Sequence, residues 1–107
     1  MKALVLCLSL LSVSAHAEFW DGNTLLSRMG GTMGEQNAAI GYVMGVADAH
    51  HNVSQCAPEG VTAGQVRDMV RNYLTSNPAV RHLSADLLVL HVLKSTWPCA
   101  QRSGRGT

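Results

Sequence analysis

The chain has 107 residues, 47% hydrophobic and 14% charged, with a formal net charge of +1. Its length fits one small domain, and a charge this close to zero gives no electrostatic case for nucleic-acid binding. Three cysteines and five histidines are the pool from which redox, metal or nucleophilic chemistry would be drawn.

Residues 1–17 place Lys2 before an apolar run over 3–11 and end in the small residues Ala15-His16-Ala17. This is the layout of a secretory signal peptide with an Ala-x-Ala cleavage site, and the run is too short to span a bilayer. Cys7 follows Leu6 inside the run, which does not suit a lipid-anchored cysteine. The expectation is a cleaved signal over 1–17, one helical domain over 18–99, a disordered tail over 100–107, and a periplasmic location. Removing 17 of 107 residues leaves 90, and the loss of Lys2 takes the net charge to zero. A core of that size gives limited stability, so a covalent staple helps. Cys56 and Cys99 remain, and in an oxidising compartment they pair most simply with each other.

Asp21-Gly22-Asn23 favours a turn, after which Asn23 or Thr24 is expected to cap a short helix bearing Leu25, Leu26 and Met29. A glycine-rich connector follows over 30–34. It matches no phosphate-loop pattern. From Glu35 to about Asn52 the pattern is helical, with Ile40, Val43, Val46 and Ala47 on one side. Gly41 and Gly45, four apart, are expected to form a smooth stripe against which another helix packs closely. His50 and His51 fall in the last turn, favourably placed against the negative end of the helix dipole.

Pro58 and Gly60 make a turn before Thr62, and Thr62 with Gln65 has the spacing of a capping box, so a helix should begin at Ala63. Val66, Met69, Val70, Tyr73 and Leu74 form its apolar stripe, and Asn77-Pro78 ends it. The last helix is expected from about Ser84 to Trp97. Leu83, Ala85, Leu87, Leu88, Val89, Leu90, Val92 and Leu93 surround most of it, which predicts the most buried element, with His91 as a core histidine. The fold class is therefore all-α, a compact bundle of about four helices with one disulfide.

No catalytic, metal or cofactor site emerges. Asp48, His51 and Cys56, or His50 with His82 and His91, have no recognised ligand spacing. A paired Cys56 has no thiolate to offer as a nucleophile. An Asp48–His51–Ser54 triad would use residues too common to argue from sequence.

Asp21-Gly22-Asn23 with Leu25-Leu26, Gly41-Tyr42-Val43-x-Gly45-Val46-x-Asp48-Ala49, and Cys56-x-Pro58-x-Gly60-Val61-Thr62-x-Gly64-Gln65 carry a resemblance. With Tyr73-Leu74, Pro78, Arg81-His82 and Trp97-Pro98-Cys99, they resemble the Rap/Tai family of type VI secretion amidase immunity proteins. The resemblance implies a small, exported, all-helical inhibitor, several relatives being dimeric. It would bind a peptidoglycan amidase effector and occlude its active-site cleft, and would need no catalytic residue of its own. Many relatives carry a further cysteine pair at the positions of Met29 and Ala39, so these two are expected close in space.

The shared motifs do not single out inhibitory contacts. Exposed, polar, loop-adjacent residues are the candidates: His51, Asn52, Ser54 and Gln55 in the second connection, then Ser76, Asn77 and Arg81 around the third, with Arg67 and Arg71 behind them. The alternative is a general periplasmic stress or chaperone-like module with no amidase partner. Protonating the four histidines that follow the signal would take the charge from zero to +4 and drive exposure of apolar surface.

Overall fold

The computed structural model describes residues 19–100. The expected signal peptide, and the expected tail beyond Ala100, lie outside the described residues. In chain order the elements are α1 (Gly22–Met29), α2 (Met33–His50), α3 (Ala63–Ser76), a 3-10 turn (Pro78–Val80) and α4 (Ala85–Thr96). The expected all-α bundle of four helices with one disulfide holds.

α1 is capped by Asp21, not by Asn23 or Thr24: its Oδ1 accepts the Thr24 N–H at 2.7 Å. The shift has a tertiary cause. The Gly22 and Asn23 N–H groups donate to the carbonyls of Leu83 and Arg81 at 3.0 and 2.9 Å, and the Ala85 N–H returns to the Trp20 carbonyl at 2.8 Å. Donors that a helix start leaves unpaired are thus satisfied by a distant connection. The approach is close enough that a Cβ on buried Gly22 would lie 2.6 Å from Leu88 Cδ1 and 2.9 Å from the Arg81 carbonyl oxygen. Outside this junction, Trp20 stacks on Tyr42 of α2 with ring centroids 4.8 Å apart.

α2 starts at Met33, two residues before Glu35, because Thr32 and Glu35 form a second capping box that the flanking glycines obscured. Glu35 donates its N–H to Thr32 Oγ1 at 3.2 Å, and Thr32 its N–H to Glu35 Oε1 at 2.9 Å. Only Gly30, Gly31 and Thr32 remain as connector. The expectation for Gly41 and Gly45 fails. Both are exposed, and a Cβ on either would meet nothing within 4 Å. The inward face of α2 is instead Ala39, Val43 and Ala47. Ala39 and Met29 of α1 are both buried members of the one core.

α3 begins at Ala63 behind the Thr62–Gln65 capping box, as the sequence predicts, and buries Val66, Val70 and Leu74. Met69 and Tyr73 are half-buried at the edge of that stripe. α4 is the helix with the most buried residues, as expected, but its burial is one-sided. It buries Ala85, Leu88, Val89, Val92 and Leu93, while Leu83 is 42% and Leu87 60% exposed. His91 is exposed rather than a core histidine, and its ring leans on Tyr73 at 5.2 Å. The reason is geometric: α1, α2 and α3 all pack from the same side, so an apolar circumference does not guarantee an all-round neighbour.

Gly41→Ala and Gly45→Ala are each expected to raise stability by about 0.5–1 kcal/mol, because they improve helix propensity and meet open space. Gly22→Ala is expected to lower it by about 1–3 kcal/mol through overpacking. Urea unfolding of the three variants checks the opposite signs.

The Thr24 N–H holds the Asp21 carboxyl below its ordinary 3.8. A depressed folded-state pKa stabilises above the ordinary value and is lost as pH falls through the lowered one. Acidification below about pH 4 should therefore lower Tm in the parent, and by less in Asp21→Asn, whose cap does not titrate.

Candidate functional site

The helices deliver the candidate residues to two places. The connection from α2 to α3 is a tight loop. The His50 carbonyl accepts the N–H groups of Val53, Ser54 and Gln55 at 3.1, 3.0 and 3.2 Å, and Asn52 donates its N–H to the Gln55 carbonyl at 2.7 Å. Asn52 sits at φ 60°, the left-handed conformation that Asn tolerates better than most residues.

Gln55 corrects an expectation. Expected at the surface, it is only 1% exposed, the one polar side chain in the buried set among the described residues. Its Nε2 donates to the Ala47 carbonyl at 3.0 Å, and its Oε1 accepts the Ala57 N–H at 2.8 Å. One amide thus ties the loop back to α2 and forward to the following turn. The next residue, Cys56, donates its N–H to the Trp97 carbonyl at 2.8 Å and is bonded to Cys99 across a Cα–Cα distance of 4.8 Å. Bridging 43 residues removes denatured-state freedom equivalent to about 4 kcal/mol in the chain-entropy account.

What the loop presents outward is His51, Asn52 and Val53. Ser54 is half-buried and shares a hydrogen bond of 3.2 Å with His50 Nδ1, while His51 Nε2 lies 3.1 Å from the Ala57 carbonyl oxygen. Asp48, His51 and Ser54 therefore do not form a relay, since the serine hydroxyl pairs with the other histidine. Cys56 is in a disulfide. Among the described residues no group of three or more His, Cys, Asp or Glu side chains is arranged to hold a metal ion. Val53, 77% exposed at the loop tip, is a residue sequence reasoning missed. The available signal was an apolar residue inside a run of short polar ones.

Beside the loop lies a cleft of 190 Å³. Its floor is Met44, Val61, Val66 and Leu93, its rim carries Asp48 and Glu59, and Gly60 at φ 92° makes the turn that closes it.

The third-connection candidates sit elsewhere. Ser76 is exposed. Asn77 is half-buried and donates Nδ2–H to the Tyr73 carbonyl at 2.8 Å. Arg81 is half-buried, with its carbonyl committed to Asn23 and its Nε buried without a partner. Those two therefore serve the helix end and the α1 junction as well as surface. The two groups of candidates lie at opposite ends of α3, whose 14 residues span about 21 Å. Arg67 and Arg71 lie along α3, each within 3.0 Å of Asp68.

The fold is thus a disulfide-closed, all-α domain with a hydrogen-bonded loop at one end. A family model for the Rap1a immunity proteins matches residues 21–99, and the chain belongs to that family. No curated protein and no solved structure matches it. No helix among the described residues is long and apolar enough to cross a membrane.

Gln55→Ala is expected to strand the Ala47 carbonyl and the Ala57 N–H, costing about 1–3 kcal/mol. Hydrogen exchange should accelerate over residues 51–57 before it does in the α3 core; uniform acceleration across the chain would argue against a local role.

Proposed function

We propose that this chain is a periplasmic immunity protein that binds a type VI secreted peptidoglycan amidase and occludes its active-site cleft, without catalysing a reaction itself. The observation that carries the proposal is the loop over 51–55. It is fastened by the buried Gln55 amide and by Cys56, and it directs Asn52 and Val53 into solvent. A narrow, pre-ordered projection suits entry into an enzyme cleft, because little ordering entropy is lost on binding. An apolar tip flanked by polar groups supplies both burial and hydrogen bonding to a partner.

Membership of the Rap1a immunity proteins supports binding to an effector. The amidase, the export route and the occlusion mechanism are the proposed part. Of the two candidate groups, the second connection is the better supported, since the Asn77 side chain of the third is spent on the Tyr73 carbonyl and the Arg81 backbone on the α1 junction.

The test is binding and inhibition against a panel of purified peptidoglycan amidases. One amidase should form a tight complex and lose activity. Val53→Asp and Asn52→Gly, the latter keeping the left-handed backbone without strain, should each weaken that complex about tenfold or more, as substitutions at a central contact do, with Tm unchanged. Failure to bind any amidase, combined with protection of unrelated proteins from aggregation at low pH, would replace this reading with the chaperone-like one.

A further inference from the structure

We infer that the cleft beside the 51–55 loop is a binding site for one cationic side chain, lysine or arginine, contributed by the protein that the loop engages. The inference rests on the proposed effector-binding function for the identity of the partner. The chemistry of the cleft itself is argued independently.

The cleft offers two unlike surfaces. Val66 and Leu93 are buried and, with half-buried Met44 and Val61, make an apolar floor. Exposed Asp48 and Glu59 stand on the rim beside His51, whose Nε2 lies 3.1 Å from the Ala57 carbonyl oxygen, and neither carboxylate is in an ion pair among the described residues, where Asp68 takes both paired arginines. An apolar floor under two carboxylates matches a side chain with an aliphatic stem and a cationic head, since Lys and Arg lay their methylenes on apolar surface while the charge remains at the edge. The space of 190 Å³ equals that of about six waters in the liquid, enough for a single long side chain. α2 ends at His50 beside this rim, so the negative end of its dipole adds to the same field.

The cleft is also held open in a fixed shape. Gln55 lines it while bonded to both Ala47 and Ala57, and the disulfide at Cys56 anchors the start of its outer wall. The loop tip and the cleft therefore form one rigid surface, so a partner that receives Val53 brings its neighbouring residues over the rim. In this arrangement the loop supplies the apolar contact and the cleft selects charge.

The experiment titrates the isolated full-length protein with Nα-acetyl-arginine amide, followed by the NMR signals of the Met44, Val61 and Val66 methyl groups. Nα-acetyl-citrulline amide, of like shape and uncharged, is the control. Saturable shifts at those methyls with arginine, at least about tenfold weaker with citrulline and lost in Asp48→Asn/Glu59→Gln, are expected for a charge-selecting cleft. Equal response to both probes, or none to either, overturns the inference. Movement of the same methyls in Arg102→Gln/Arg105→Gln without any probe also overturns it, because the chain's own C-terminal segment is then the occupant. With a cognate amidase in hand, Asp48→Asn/Glu59→Gln should weaken the complex about tenfold with Tm unchanged. An unchanged complex that Val53→Asp still disrupts would sink the cleft while leaving the immunity reading standing.

Discussion

The side-chain amide of Gln55 is the interaction on which the loop between α2 and α3 depends. Its two polar atoms stand in for backbone, one accepting and one donating, so that a helix end and the turn after it are both satisfied inside the protein. A buried amide left unpaired would be costly, and a fully paired one fixes geometry. With Gln55 in place, Cys56 arrives opposite Trp97 and Cys99, and the residues before it have one way to fold back on His50. The shape of the loop, the wall of the cleft and the position of the disulfide share this origin.

A second backbone arrangement organises the other end. There the start of α1 and the approach to α4 exchange hydrogen bonds through Gly22, Asn23 and Ala85, and the absence of a side chain at Gly22 permits the contact. The two ends are built alike, from ordered connections rather than from helices. The helices between them contribute length and a shared core around Leu25, Val43, Val70, Leu74, Val89 and Leu93. This division lets a surface connection be specific in shape while the core remains ordinary in composition.

Local signals carried much of the fold. The Thr62–Gln65 box, the Asn77-Pro78 stop and the stripe through Val66, Val70 and Leu74 are decided by neighbours three or four residues away, so they are readable from the chain alone. The start of α1 was not, because the carbonyls that take its Gly22 and Asn23 N–H groups are some sixty residues distant in sequence and Asp21 competes with two other good capping residues. Gly41 and Gly45 misled for a related reason: small residues permit close approach without requiring it. The periodicity of α4 gave an apolar cylinder, and only the packing of three helices on one side reveals which half is left in solvent. At the candidate site, polarity is a poor guide to exposure. Gln55 and Val53 invert that guide, since the amide is inside serving backbone groups and the valine is outside at the tip.

The disulfide joins the loop to the end of α4, and thiols form such bonds only where the surroundings are oxidising. Before that bond forms, the outer anchor of the loop is missing even if the helices have assembled. The proposed recognition surface is therefore finished only under oxidising conditions: the same chain, held reduced, carries the residues of the loop without the fastening that gives them their shape.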